Sequence, residues 1–142
     1  MAEILGAIAS ITQLLQMSAN ILTTGYGFLS KVIHAPEEIR QLLSETAAVN
    51  SLLGQLQELT DSSSGKKSSA LLQQLGVLKD CQDILRKVKA ALDTCKMVQG
   101  QDRSNLRHRL IWPFKERETK QAIEQLARLR AILLSAVTVD SA

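Results

Sequence analysis

Length, composition and charge limit what this chain can be. Its 142 residues fit one domain with a single hydrophobic core, and an aromatic content of 3% with two prolines is typical of helices and not of sheets. The net charge of +3 is spread over interspersed bases and acids, which favours a solvated surface over a nucleic-acid interface. We therefore expect an all-α antiparallel bundle of about four long helices, spanning residues 1–142 as a single domain, with no strands and no nucleic-acid partner.

The first predicted helix, from about Ala2 to Ile33, is the longest uncharged stretch of the chain. No residue between Glu3 and Lys31 carries a charge, and this length is sufficient for a helix to cross a bilayer. Polar residues interrupt the stretch and argue against a permanent span. Its stripe of Ile4, Ile8, Ile11, Leu15, Leu22 and Leu29, widened by Leu5, Leu14, Ile21 and Phe28, can be buried in a bundle or at a bilayer interface, and the sequence leaves that choice open.

Small residues mark both ends of this helix. Ala2, Gly6 and Ser10 lie four apart, which permits close packing against a neighbouring helix. Gly25 and Gly27 are expected to weaken or kink its last third.

The second helix is predicted to begin at Pro36, with Glu37 and Glu38 favourably placed at the positive end of the helix dipole. A short turn separates it from the first helix, so the two should be adjacent and antiparallel. A serine-rich loop is expected over residues 61–69. The apolar stripe of the helix comprises Ile39, Leu42, Thr46, Val49, Leu53 and Leu56.

A third helix is predicted from about Ser69 to Val98. Its stripe contains Val77, Cys81, Ile84, Val88, Ala91, Cys95 and Val98. Both cysteines lie on this stripe, too far apart along one helix to form a disulfide, so packing is their expected role. Two unpaired cysteines indicate a reducing, cytoplasmic compartment.

The last quarter opens with a Trp112-Pro113-Phe114 corner, which should start or kink the final helix. The stripe of that helix comprises Ala122, Leu126, Leu129, Leu133 and Ala136, broadened by Ile123 and Val137. The chain ends soon after the stripe, so we expect it to be the amino-terminal part of a longer protein.

The sequence lacks several residue arrangements that are typical of catalytic sites. His34 and His108 are predicted on turns, without neighbours at metal-ligand spacing. The sequence contains no glycine-rich phosphate loop, no Gly-x-Ser-x-Gly turn and no His-Glu-x-x-His motif. We expect no enzymatic activity, no metal and no cofactor.

Three segments carry a family resemblance: the opening MAEILGAIASITQLL, the turn at residues 35–39 and the corner at residues 110–116, which precedes a leucine-rich helix. In their order and spacing they resemble the HeLo-like amino-terminal domain of fungal NLR (STAND) proteins, and the resemblance covers essentially the whole chain in order. The resemblance implies a helical bundle preceding a nucleotide-binding oligomerisation domain in the same chain. Such domains execute programmed cell death in heterokaryon incompatibility and innate immunity, and are similar to the HeLo domain and to the four-helix domain of the mixed lineage kinase domain-like protein, which associate with membranes when assembled.

For this sequence the resemblance implies a switchable effector that is cytoplasmic at rest and recruited to the plasma membrane on activation. At rest the first helix would pack against the second, third and last helices. Oligomerisation would free its amino-terminal half for membrane insertion or pore formation, through Ile4, Leu5, Ile8, Ile11 and Leu15. Contacts to anionic lipid headgroups are expected from Lys66, Lys67, Lys87, Lys89, Arg107 and Arg109.

Two other functions stay open on the sequence alone. The chain could be a homotypic protein-interaction module without membrane action, in which oppositely charged faces of helices 2 and 3 make the contact. It could also be a plain scaffold or autoinhibitory domain. Salt-dependent self-association without lipid would favour the interaction module.

Overall fold

Four helices and one pair of short strands make up the described part of the chain. The computed structural model describes the backbone of residues 2–31, 37–61, 76–94, 96–99, 108–111 and 116–141, and the side chains of residues 9–30, 37–59, 76–93 and 117–138. In chain order the elements are α1 (Ala2–Lys31), α2 (Glu37–Asp61), α3 (Val77–Thr94), β1 (Lys96–Gln99), β2 (His108–Ile111) and α4 (Glu116–Ser141). The prediction of an all-α helical bundle is confirmed.

The core is formed by the apolar stripes that the sequence predicts for α2, α3 and α4. Every predicted stripe residue of α2 and α4 is buried, as are those of α3 from Val77 to Ala91. Thr46 is fully buried on α2 because its hydroxyl donates to the carbonyl oxygen of Leu42, 2.8 Å away, and so satisfies its polar group within the helix.

The helices are arranged in a ring in which each has two main neighbours. α1 packs against α2 and α3, and α4 packs against the same two helices from the other side. The last helix, which we expected to pack against α1 as well, therefore lies diagonally across the bundle and has its main contacts with α2 and α3. Among the described elements, α1 has its main contacts with α2 and α3, and several of its residues between Ala9 and Ser30 are exposed.

The predicted antiparallel pairing of α1 and α2 is confirmed by side-chain contacts along their seam. Gly25 lies against Leu43, Ser18 against Asn50 and Thr12 against Gln57, so one residue number falls as the other rises. The surface between α3 and α4 follows the same order, since the part lined by Asp80 includes Leu129, whereas the part lined by Glu118 includes Lys87 but not Asp80. The α3–α4 pair is therefore antiparallel too.

The third helix is shorter than predicted at both ends. Gly76 has a φ of +67°, a left-handed conformation that a right-handed helix cannot include, and its carbonyl oxygen accepts the first helical hydrogen bond, from the backbone N–H of Asp80 at 3.0 Å. α3 therefore begins at Val77. It ends at Thr94, because the next four described residues, Lys96–Gln99, form a strand. Val98, which we predicted to be helical, therefore lies in that strand.

The two strands correct the expectation of a chain without strands. β1 and β2 pair antiparallel, with Met97 opposite Leu110 and Val98 opposite Arg109. His108 accordingly lies in β2 and not on a turn. The predicted stripe of the third helix ends with Ala91, Cys95 and Val98. Periodicity alone cannot distinguish such a short apolar pattern from a strand, which explains why Val98 was predicted as helical. Other predicted features lie outside the described residues: Pro36, His34, Cys95, the Trp112-Pro113-Phe114 corner, residues 69–75 and the loop after Asp61.

Candidate functional site

The inward face of α1 differs from the stripe that the sequence predicts. Its centre runs through Ile11, Leu14, Ser18, Ile21, Gly25 and Leu29, all of which are buried. Leu15 and Leu22, which we predicted on the stripe itself, are half-buried at its edge. The reason is that Ser18 and Gly25 occupy central positions without contributing to an apolar pattern. The buried face of α1 is thus rotated slightly from the face that the apolar stripe predicts.

Polar side chains on the amino-terminal part of α1 are hydrogen-bonded to α2. The amide nitrogen of Asn50 donates to the hydroxyl oxygen of Ser18 at 2.8 Å and lies 3.3 Å from the carbonyl oxygen of Leu15. Further along the seam, the amide nitrogen of Gln57 donates to the hydroxyl oxygen of Thr12 at 3.1 Å. These bonds allow Ser18 to be fully buried without an unpaired polar group.

The two helices approach closely at glycines. A β-carbon built on Gly25 would lie 2.9 Å from Cδ1 of Leu43, which is fully buried and has little room to move. A β-carbon on Gly54 would meet Cδ2 of Leu15 at 4.0 Å. The seam therefore needs a glycine at position 25, whereas Gly54 provides ordinary contact space.

Sequence reasoning missed the α2 side of this seam. Asn50, Gly54 and Gln57 recur at steps of four and three, a small and polar row on α2 that could have indicated a specific helix neighbour. For the predicted small row on α1, Ser10 is half-buried, and the side-chain surroundings of Ala2 and Gly6 lie outside the described residues.

The five predicted membrane-insertion residues all lie on α1. Ile11 is fully buried, and Leu15 is half-buried and packs against the core. The side chains of Ile4, Leu5 and Ile8 lie outside the described residues. In this state, the two described members face the bundle.

The predicted lipid-headgroup cations are only partly described. Lys87 is exposed and Lys89 half-buried on α3. Arg109 lies in β2 without a described side chain, and Lys66, Lys67 and Arg107 lie outside the described residues. The structure thus describes the side chains of two of the six.

Lys87 lies on a shallow groove between α3 and α4. The groove also contains Arg128, and carboxylates lie around these two cations. Those carboxylates belong to Asp80, Asp83, Glu118 and Glu124. Because the acids outnumber the bases, the groove is not a site that attracts phosphate groups by charge.

The outward face of α1 carries no charge. Exposed or nearly exposed positions recur at alternating steps of four and three, and we call them the uncharged face: Ala9, Gln13, Gln16, Asn20, Thr23 and Gly27. The other helices all expose charged side chains. These include Glu37, Arg40 and Glu58 on α2, Lys79, Asp83 and Arg86 on α3, and Arg117, Lys120 and Arg128 on α4.

No reactive centre is found in the described part of the chain. Cys81 is a free, fully buried thiol, and burial raises its pKa to about 12, which keeps it protonated and unreactive. The packing role predicted for Cys81 agrees with this position. Among the described residues no group of histidine, cysteine and acidic side chains could hold a metal ion. Over the same residues, none of the helices combines the length and the apolar character that crossing a membrane requires.

Comparison with known proteins provides no relative. No family model, no curated protein and no solved structure matches the chain.

Proposed function

We propose that this chain is a membrane-targeting, cell-death-inducing effector domain of a fungal NLR-type protein. At rest it is cytoplasmic, with α1 held against α2 and α3. Oligomerisation, driven by a nucleotide-binding domain further along the same chain, exposes the apolar amino-terminal half of α1 to anionic lipids of the plasma membrane. The proposal rests on the resemblance described above and on the way α1 is packed.

The observation that supports it best is that α1, which is uncharged from Ile4 to Ser30, presents an apolar inward face to α2 and α3. Burying an aliphatic side chain contributes about 1.5 to 3 kcal/mol whether the surroundings are a bundle or hydrocarbon. For Ile11, Leu14 and Leu15 the resting and membrane-bound states therefore recover similar energy. A helix whose two environments are close in free energy suits a two-state switch.

The hydrogen bonds to α2 make the resting state specific. Leaving α2 breaks the bonds from Gln57 to Thr12 and from Asn50 to Ser18, which costs on the order of 0.5 to 1.5 kcal/mol for each bond. Such a cost is small enough for assembly to overcome. Headgroup attraction of about 1 kcal/mol per cation near an anionic surface would act in the opposite direction. Of the two described cations predicted for it, Lys89 lies outside the acidic groove between α3 and α4, whereas the carboxylates around Lys87 weaken its contribution.

The first experiment is dye release from liposomes of neutral and of anionic composition. It compares the intact chain with a chain lacking residues 2–20 and with Leu15→Arg. We expect release by the intact chain alone, and more from anionic liposomes. If Leu15→Arg remains folded and releases dye as the intact chain does, insertion through α1 is wrong.

Deleting residues 2–20 also removes core residues such as Ile11, so the deletion does not distinguish movement of α1 from its presence. A reversible disulfide between α1 and α2, which we call the lock, makes that distinction. In Ser18→Cys/Asn50→Cys, the two cysteines replace side chains whose polar atoms are 2.8 Å apart. We expect the oxidised double variant to release no dye and the same sample to recover release after reduction with dithiothreitol. Each single cysteine variant, treated identically, should be insensitive to oxidation. Release by a verified oxidised lock would contradict the proposal.

A second candidate function is a homotypic interaction module without membrane action. The uncharged face favours it, because another protein can cover a helix surface without charges and avoid the large penalty of burying an unpaired ion, provided that the amide groups find hydrogen-bond partners. Self-association in the absence of lipid, together with no dye release under any condition above, would make this the better assignment.

A further inference from the structure

We propose that the uncharged face of α1 is the surface through which copies of this chain contact one another. The inference deepens the oligomerisation step of the proposed function and rests on that step, but it does not require membrane action. The partner is a second copy of the same chain, with α1 packed against α1.

The charge distribution favours an identical partner. The outward faces of α2, α3 and α4 all carry charged groups, so a contact between two copies through one of them removes ions from water or needs a register that pairs opposite charges. α1 is the helix on which no side chain from Ile4 to Ser30 is charged. Two copies can therefore meet there without like-charge repulsion and without removing an ion from water.

The chemistry of the exposed side chains is self-complementary. Gln13, Gln16 and Asn20 each present both amide donors and a carbonyl acceptor, so an identical face can satisfy them reciprocally. Within the described residues, these three amides have no hydrogen-bond partner, in contrast to Thr12 and Ser18 on the α2 side of the same helix. The polar groups of α1 are thus divided between an internal seam and an outward set.

The spacing fits helix-to-helix packing. Alternating steps of four and three give a period of 3.5 residues, the repeat by which two helices keep one seam in contact. Coiled-coil seams are mainly apolar, and an amide side chain within one selects the register and number of helices at a cost in stability. Ala9 and Gly27 at the ends of the row allow the helices to approach.

The test places opposite charges on the centre of the face. Gln16→Lys and Gln16→Glu are purified as the full 142-residue chain, with folding checked by circular dichroism, and self-association is measured by sedimentation velocity over a range of concentrations in lipid-free buffer. The matched controls are Gln55→Lys and Gln55→Glu, at an exposed glutamine of α2. We expect either Gln16 variant alone to self-associate at least tenfold more weakly than the wild type, and an equimolar mixture of the two to recover association.

Several outcomes would overturn the inference. These are a wild-type chain that stays monomeric at every concentration, Gln16 variants that associate normally, Gln55 variants that are weakened equally, or a mixture that does not recover. If Gln16→Lys changes only binding to anionic phosphatidylserine vesicles, the face contacts lipid and not a second copy. Self-association through Gln16 without dye release would leave the inference standing while membrane action failed.

Discussion

Two glycines on α1, two positions apart, have opposite roles at the scale of single residues. Gly25 is buried against Leu43, whereas a β-carbon on Gly27 would meet nothing within 4 Å. We expect Gly25→Ala to lower the free energy of unfolding by about 1 to 3 kcal/mol through overpacking. Gly27→Ala should raise it by about 0.5 to 1 kcal/mol, since alanine loses less backbone entropy in a helix.

Urea unfolding of both variants checks this prediction. In a Leu43→Ala background the cost of Gly25→Ala should shrink, because the clashing atoms are removed. Equal effects of the two alanines would show that the close approach at Gly25 does not limit the packing of the helices.

Cys81 gives a prediction about alkaline stability. Its thiol has a pKa of about 12 when folded and an ordinary value of 9.0 when unfolded, because burial disfavours the thiolate. Above pH 9 the unfolded chain binds fewer protons than the folded one, so the stabilisation is complete below pH 9 and is lost as the pH rises toward 12. The slope due to this group approaches about 1.4 kcal/mol per pH unit.

The measurement is urea unfolding at several pH values between 8 and 11, for the wild type and for Cys81→Ala. We expect the variant to be less stable at pH 8 because of the cavity, and its stability to fall less steeply with pH. The difference between the two curves isolates Cys81 from lysines and tyrosine that titrate in the same range. Parallel curves would contradict the assignment of a buried thiol.

Residue-level features were predictable where hydrophobicity carries the signal. Cys81 lies on a regular apolar stripe, and its burial followed from that spacing. Ser18 and Gly25 are as deeply placed on α1, yet a hydroxyl and a hydrogen atom have no apolar signature. Their burial depends on Asn50 and Leu43 of another helix, which a linear pattern does not identify.

At the scale of elements, the α1–α2 seam depends on Asn50. Its amide contacts both Ser18 and the Leu15 carbonyl, so Asn50→Ala should lower the free energy of unfolding by about 1 to 3 kcal/mol. Asn50→Asp should lower the free energy of unfolding further at pH 7, because a carboxylate would face the carbonyl oxygen of Leu15. Part of that loss should be recovered near pH 4, where the carboxylate is protonated.

The matched control is Asn20→Ala, at an exposed amide on the outward side of α1. It should change the free energy of unfolding by no more than about 0.5 kcal/mol, as expected of a surface substitution. Thermal and urea unfolding distinguish the two sites. If both alanine variants behave alike, the bonds across the seam do not fix the position of α1.

The elements themselves were more predictable than their ends. The stripes of α2 and α4 identified both helices, because a period of 3.6 residues sustained over several turns is hard to produce by chance. The start of α3 depends on a single left-handed glycine, and its end on pairing with a strand about a dozen residues further on. Neither cause lies within the helical pattern, so the predicted helix extended past both.

At the scale of the whole molecule, the ring arrangement makes α1 and α2 unequal. α2 has its main contacts with α1 and α4, and its packing against α4 is the most extensive in the bundle; Glu45 of α2 also pairs with Arg130 of α4, with Oε2 and Nε 3.0 Å apart. α1 lacks α4 as a main neighbour. The sequence predicted four packed helices but not their order in space, which depends on long-range contacts.

This inequality predicts the order in which the bundle opens. In native-state hydrogen exchange, amides of residues 9–21 on α1 should exchange through a partial opening whose free energy is lower than that of residues 42–56 on α2, because local openings involve the least buried contact surface. Asn50→Ala should lower protection of α1 further while leaving residues 122–133 of α4 nearly unchanged. If residues 9–21 exchange only with global unfolding, α1 cannot leave α2 without destroying the fold. Release of α1 would then need a partner that unfolds the whole bundle, and an intact domain would not serve as a switch.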